Sequence, residues 1–360
     1  MLFTIIIAQG FYDLEFNEYM IQVNIGTPTD IIYSSVSLTT DFIFIINANC
    51  GELSTLHCPR LCYDPILSEL YCTAECYKLE KVEWCSKPIY QYDDRYASTN
   101  SSTFSLTTEL WRGNLENHLG QVGQWARETI SFSESLEMND WRFVNGMIMD
   151  SQIILNSQGI VGLAPGESNF VHLLFKEGRI PKAVVSLFNG YLRIGDYNEQ
   201  DCSDWFHKKA VGTSWLLKVD SVEFRNQTWN SNVYLTFDLT QESTYIPDDQ
   251  FVELLESGLI VRHVHVDYYH VDCNLNLDLE FTINGRKLFI PTSYFVVRPF
   301  PLDDICFLSI LPLSRWFPGQ RLYVDEVSWV LTRQFLNHLC VGYNYETNEI
   351  GFAEFIGPID

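Results

Sequence analysis

Apolar residues along this chain gather in short β-prone runs, broken at close intervals by Gly, Asn, Pro and Asp, as at 21–25, 42–46, 233–237 and 279–283. Val, Ile, Phe and Tyr suit a pleated, half-buried surface and the intervening residues suit turns, so the pattern predicts an all-β protein. Phe281 to Phe289 is a predicted hairpin, because Asn284-Gly285 supplies the positive φ angles that a two-residue turn demands. Helical spacing is rare. Phe170 to Glu177 closes at Gly178, and Asp248 to Ser257 carries Phe251, Leu254 and Leu255 at helical spacing ahead of Gly258, which predicts two short helices.

The halves of the chain echo one another. An apolar strand runs into Ser37-Leu38-Thr39 in the first, and another runs into Asp238-Leu239-Thr240 in the second. Gly159-Ile160-Val161-Gly162-Leu163-Ala164 follows later in the first half, and Trp329-Val330-Leu331-Thr332 lies near the end of the second. Two related β lobes are expected, divided at the polar junction between Gly190 and Asp204, giving an N-terminal lobe over 1–192 and a C-terminal lobe over 193–360.

The 360 residues are enough for two separate cores. Acidic residues number 46 against 23 basic ones, a formal charge of -23, which disfavours nucleic acid and anionic membrane as partners and is compatible with an acidic or secreted setting. No apolar run reaches the length of a membrane span. Met1 to Ala8 is apolar without a basic flank, and is read as at most a short or truncated signal peptide.

Of ten cysteines, six (Cys50, Cys58, Cys62, Cys72, Cys76 and Cys85) crowd into a polar segment without periodicity, the insert 50–85. This predicts a disulfide-stapled loop made in an oxidising compartment. Zinc is the rival reading, since Cys58/Cys62 and Cys72/Cys76 are each four apart, but no Cys-x-x-Cys pair occurs. Sequons at Asn100 and Asn226 point the same way as the staples, towards a secreted glycoprotein. His263, His265 and Asp267 would share one face of a strand; an exposed polar face is the simpler reading than a metal site. The 24 Phe and 19 Tyr fit β cores, although some could line a cleft.

With these motifs in view, the chain resembles the pepsin-like aspartic protease family over nearly its whole length. Ile25-Gly26-Thr27-Pro28 is similar to the family's Ile-Gly-Thr-Pro. Counting on without a gap, the family's Asp-Thr-Gly-Ser-Ser falls on Ser37-Leu38-Thr39-Thr40-Asp41, with Phe44 where the family usually has Trp. The second active-site segment falls on Asp238-Leu239-Thr240-Gln241-Glu242, and Pro247 sits where the family has its later Pro. Gly159 to Ala164 resembles Gly-Ile-Leu-Gly-Leu-Ala, and Trp329 to Thr332, running on to Ile350-Gly351-Phe352-Ala353, resembles the C-terminal stretch with Thr332 replacing Gly. The resemblance implies a bilobal all-β fold, a bridge between Cys273 and Cys306, and a further pair, Cys202 and Cys340, like that of nematode-type members.

It also implies a lost dyad. Family members use two carboxylates sharing a proton and a water, one acting as base while the other polarises the scissile carbonyl. Asp238 keeps one position and Ser37 takes the other, and a hydroxyl has no accessible anion with which to share the task. Leu38 and Leu239 replace the threonines that tie the two loops together, while Thr39 and Thr240 stand where the family has glycine, a position where the backbone could need glycine's freedom. Asp41 could enter the first site only through a four-residue gap that breaks the register. Gly123 to Ile130 resembles the outgoing strand of the flap; counting back sets Glu116 near the flap tyrosine, with Trp111 the nearest aromatic. The expectation is therefore a monomeric, catalytically silent homologue without a cofactor, whose interlobe cleft binds peptide or protein. An atypical active endopeptidase and a purely structural role are the alternatives.

Overall fold

The computed structural model describes residues 6–13, 18–48, 96–115, 118–132, 136–148, 157–166, 168–225, 227–239, 241, 243–262, 269–298, 305–316, 329–332 and 339–357. The insert 50–85, Asn226, Thr240, Glu116, His263, His265 and Asp267 lie outside them.

Strands dominate, as the apolar runs predict: Glu18–Ile25, Ile43–Ile46, Val233–Asp238 and Leu279–Ile283 form where those runs stand. Buried and half-buried positions alternate through Leu279–Ile283, the mark of a strand with one face on a core. Asn284 and Gly285 take φ of 51° and 73° between this strand and Arg286–Ile290, so the predicted hairpin turn is present. The two expected helices span Phe170–Lys176 and Asp248–Glu256. Asn169 opens the first by accepting from the Val171 amide, and Gly178 and Gly258 follow the two helix ends at φ of 68° and 71°, a left-handed step that glycine takes without a Cβ clash. No helix among the described residues is long and apolar enough to cross a membrane.

Contacts group the chain into two units that interleave in sequence. One takes Gln22–Ser35 and Phe42–Val161; the other takes Met1–Ile21, Val36–Asp41 and Gly162–Asp360. In the former, Ile43–Ile46 pairs with Gly159–Gly162 and with Glu137–Ile148, and the latter strand continues to His118–Ser131 and then Ser105–Leu115. Phe44, Ile46, Val144 and Ile160 form a core there, flanked by Phe42, Trp111 and Trp125. A Cβ on Gly146 would come within 2.4 Å of the Phe44 ring, so the strand approaches this core at a residue with no side chain.

The larger unit contains an antiparallel run Cys202–Lys209, Glu349–Phe355, Leu339–Asn344, Val184–Phe188 and Tyr191–Ile194. It also contains a five-stranded sheet ordered Leu217–Val219, Val233–Asp238, Trp329–Thr332, Thr244–Ile246, Ile310–Pro312, and a four-stranded sheet ordered Gln227–Trp229, Ser221–Phe224, Leu279–Ile283, Arg286–Ile290. Bridges Cys202–Cys340 and Cys273–Cys306 are both formed. The first lies among Phe188, Ala353, Tyr191, Trp205 and Phe355, in an apolar cluster that fixes the end of the long antiparallel run.

Candidate functional site

Both segments that the motif register singles out belong to the larger unit. Ser37 ends the Asp30–Ser37 strand and is fully buried. Its hydroxyl oxygen accepts from the amides of Thr39 and Thr40, both at 3.1 Å, and lies 3.3 Å from the Thr39 hydroxyl. Ser37 Oγ thus accepts from two amides of its own turn, a local side-chain-to-backbone pattern at a strand end. Positive φ at non-glycine residues is confined, among those described, to Asp140, Asn189, Asp204, Arg225, Asn232, Asn284 and Asn348. Thr39 is not one of them, so its backbone does not take the left-handed conformation that favours glycine; Thr240 lies outside the described residues.

The turn is braced from behind. The Leu163 amide donates to Ser37 O at 2.7 Å and the Ala164 amide to Thr40 O at 2.8 Å. Leu163 O in turn accepts from Trp215 Nε1 at 2.7 Å and from the Tyr345 hydroxyl at 2.8 Å. Burial pushes the Tyr345 phenol far above its usual range, which keeps it a neutral donor. Asn169 Nδ2 donates to Gly162 O and Ala164 O while its Oδ1 caps the following helix. One asparagine therefore ties that helix to the glycine-rich motif.

Asp238 ends the Val233–Asp238 strand and is 2% exposed; its parallel-strand partner is Thr332, also buried. Its Oδ2 accepts from Trp316 Nε1 at 2.8 Å. Trp316 is buried with Leu216, Tyr245 and Val330, and partly buried Leu311 and Leu313 pack against the same cluster. An indole N–H donates and cannot accept, so this carboxylate oxygen faces a group that can neither take a proton nor release one to a substrate. Sequence reasoning did not find Trp316. A buried indole needs an acceptor, which is a signal, but the acceptor stands 78 residues away.

Leu38 and Leu239 are buried, at 4% and 2% exposure, where hydroxyl side chains would require partners. Thr39 is exposed and Thr40 buried. The Asp41 carboxyl does not sit free beside Ser37: it accepts from its own amide and that of Ser168, and it packs so closely on Gly166 that a Cβ there would lie 1.9 Å from Oδ2. Desolvation raises its pKa above the usual carboxylate range, and the two amides partly offset this.

In the other unit, the Ser105–Leu115 and His118–Ser131 strands pair antiparallel. Trp111 packs edge-on against Phe42 and Phe44, with ring centroids 5.2 and 5.6 Å away, and Arg142 lies over Trp125 at 4.2 Å. Trp111 is therefore the aromatic that meets Phe44 from this hairpin. Asn100 is the exposed last residue of the 3-10 helix Ser98–Asn100, and Ser102 of its sequon donates to Thr27 O. No group of three or more His, Cys, Asp or Glu able to hold a metal occurs among the described residues.

A model of the eukaryotic aspartyl protease family matches residues 68–355. That span includes the Asp238 segment and starts after the Ser37 segment. Aspartic protease 10 of Caenorhabditis elegans is 21% identical over 382 aligned positions, covering 96% of this chain and 85% of that protein.

Proposed function

The chain belongs to the eukaryotic aspartyl protease family, and from that premise we propose that it is a silent member that binds peptide or protein in the cleft between its two family lobes, 1–192 and 193–360, without cutting it. The observation that carries this reading is the state of the two loop residues. Ser37 Oγ accepts from the turn amides, and Asp238 Oδ2 accepts from Trp316. Dyad chemistry needs one carboxyl to take a proton from water while a second gives one to the carbonyl oxygen. With a hydroxyl at Ser37 and one oxygen of Asp238 accepting from an indole, the second carboxyl that the exchange requires is missing from the first position. Buried Leu38 and Leu239 support an apolar seal where the family uses hydroxyl contacts.

Secretion, with sugars on Asn100 and Asn226 and staples in the insert 50–85, is the setting that the two bridges and the acidic composition favour. On this reading the protein is a monomer that does not take nucleic acid as a partner and has no membrane span. The test is to incubate it with a mixed peptide library at acidic and neutral pH, recover what it retains, and read the peptides by mass spectrometry. Intact retained peptides support the proposal; new termini generated by the protein, and lost in Asp238→Asn, establish the endopeptidase instead.

A further inference from the structure

Asn-Gly occurs at Asn145-Gly146, Asn189-Gly190 and Asn284-Gly285. Asparagine is a chemically labile residue, and before glycine no side chain keeps the next main-chain nitrogen from its carboxamide. Two of the copies stand in matched hairpin turns. Asn189-Gly190 joins Val184–Phe188 to Tyr191–Ile194 at φ of 39° and 76°, and Asn284-Gly285 joins Leu279–Ile283 to Arg286–Ile290 at 51° and 73°. A Cβ added to either glycine would meet nothing within 4 Å, so the space beside both is open. The turns differ in how they are held. Asn284 Nδ2 donates to His207 O at 2.8 Å, and the Gly285 amide donates to Asp220 Oδ2 at 3.0 Å. The Asn189 side chain and the Gly190 amide have no hydrogen-bond partner among the described residues.

We propose that Asn189 is a deamidation site of the folded protein, and that Asp220 and the His207 carbonyl keep Asn284 intact. In the reaction the Gly190 nitrogen gives up its proton and bonds to Asn189 Cγ, while the Cγ–Nδ2 bond breaks and ammonia leaves. Water then opens the cyclic imide at one carbonyl or the other, giving aspartate or isoaspartate. At Asn284 the attacking nitrogen and the leaving amide are each tied to a third group, so two hydrogen bonds must break before the atoms can meet. Lys208 hydrogen-bonds Asp220 at 2.8 Å and holds its carboxyl below the usual range, which leaves it a poor base for the Gly285 proton. Exposure alone gives the opposite order, since Asn284 is exposed and Asn189 half-buried. Asn145 is 5% exposed, on a strand paired on both sides, and its Oδ1 accepts from Asn47 Nδ2. Isoaspartate at 189 adds a carbon to the main chain of a two-residue turn and a charge beside the stacked Phe188 and Tyr191, next to the Cys202–Cys340 bridge. None of this depends on the cleft reading above.

The test is to age the intact protein in mildly alkaline heavy-oxygen water, digest samples over time, and quantify the peptides around Asn189 and Asn284 by mass spectrometry. Asn189 is expected to convert about tenfold or more faster than Asn284. In urea the two should convert within about twofold of one another, since unfolding releases both tethers. Asp220→Ala is expected to speed conversion at Asn284 about fivefold and to leave Asn189 unchanged, whereas Lys208→Met keeps the acceptor and should leave Asn284 slow. Equal rates in the folded protein overturn the proposal, and so does a preference for Asn189 that persists in urea, which would assign it to flanking residues. Conversion at Asn284 that Asp220→Ala leaves unchanged or slows also overturns it, the latter because the carboxylate would then be acting as a base. Faster conversion at Asn284 in Lys208→Met does the same, by assigning the protection to the ion pair.

Discussion

Trp316 donates its indole N–H to Asp238 at 2.8 Å, and both residues are buried. The contact ties Asp238 to the short 3-10 helix Leu313–Arg315, whose C-cap is Trp316. Trp316→Phe keeps the ring packing and removes the donor, leaving a buried carboxylate oxygen short of a bond. A loss of about 1.5–3 kcal/mol is expected in urea unfolding. The double variant with Asp238→Asn should show coupling of at least about 1 kcal/mol; strictly additive losses would mean the bond contributes nothing.

Ser37→Asp tests whether the first carboxyl alone is missing. Its carboxylate could accept the Thr39 and Thr40 amides that Ser37 Oγ now accepts, so the variant is expected to fold. Acid proteolysis should stay within about tenfold of background, because Asp238 Oδ2 still accepts from Trp316 and Leu38 and Leu239 stay buried beside both loops. Recovery of much larger activity would show that the indole contact and the buried leucines are no obstacle.

Asp41 carries a pH signature. Burial raises its folded pKa above the unfolded value, so the native state holds the proton more firmly. Its contribution to stability is therefore fully present below the unfolded pKa and is lost as pH rises through the folded one. Asp41→Asn, which resembles the neutral form, should gain on the wild type in urea midpoint between acidic and neutral pH. A difference that does not change with pH would contradict this assignment.

The bridge between Cys202 and Cys340 closes a span of 138 residues. The chain-entropy relation predicts a cost of about 5 kcal/mol for Cys202→Ala with Cys340→Ala, read from denaturant unfolding. A loss under about 1 kcal/mol would place the stabilisation elsewhere, in the surrounding aromatic cluster.

Much of this fold was legible because its local signals are strong. Asn284-Gly285 dictates a hairpin turn, Gly178 and Gly258 end helices whose apolar spacing is plain, and the run at 279–283 alternates as a half-buried strand must. Family resemblance supplied both bridges, which spacing alone left open. At the site, the exchange of Asp for Ser37 and the leucines beside both loops were visible, but their consequences were not. Trp316 reaches Asp238 only through the fold, and Asp41 turns to Gly166 and Ser168. Nor could sequence show that the turn after Ser37 has no positive φ, so that Thr39 sits there without the glycine the family uses. The contacts of Asp238 and Asp41 are pairings between distant segments, and composition and periodicity carry no information about them.

Catalytic silence is the central claim, and digestion of an acid-denatured protein by the purified chain across acidic pH tests it most directly. No cleavage above buffer, and no difference between the wild type and Asp238→Asn, is the predicted result. Turnover that Asp238→Asn abolishes would contradict it.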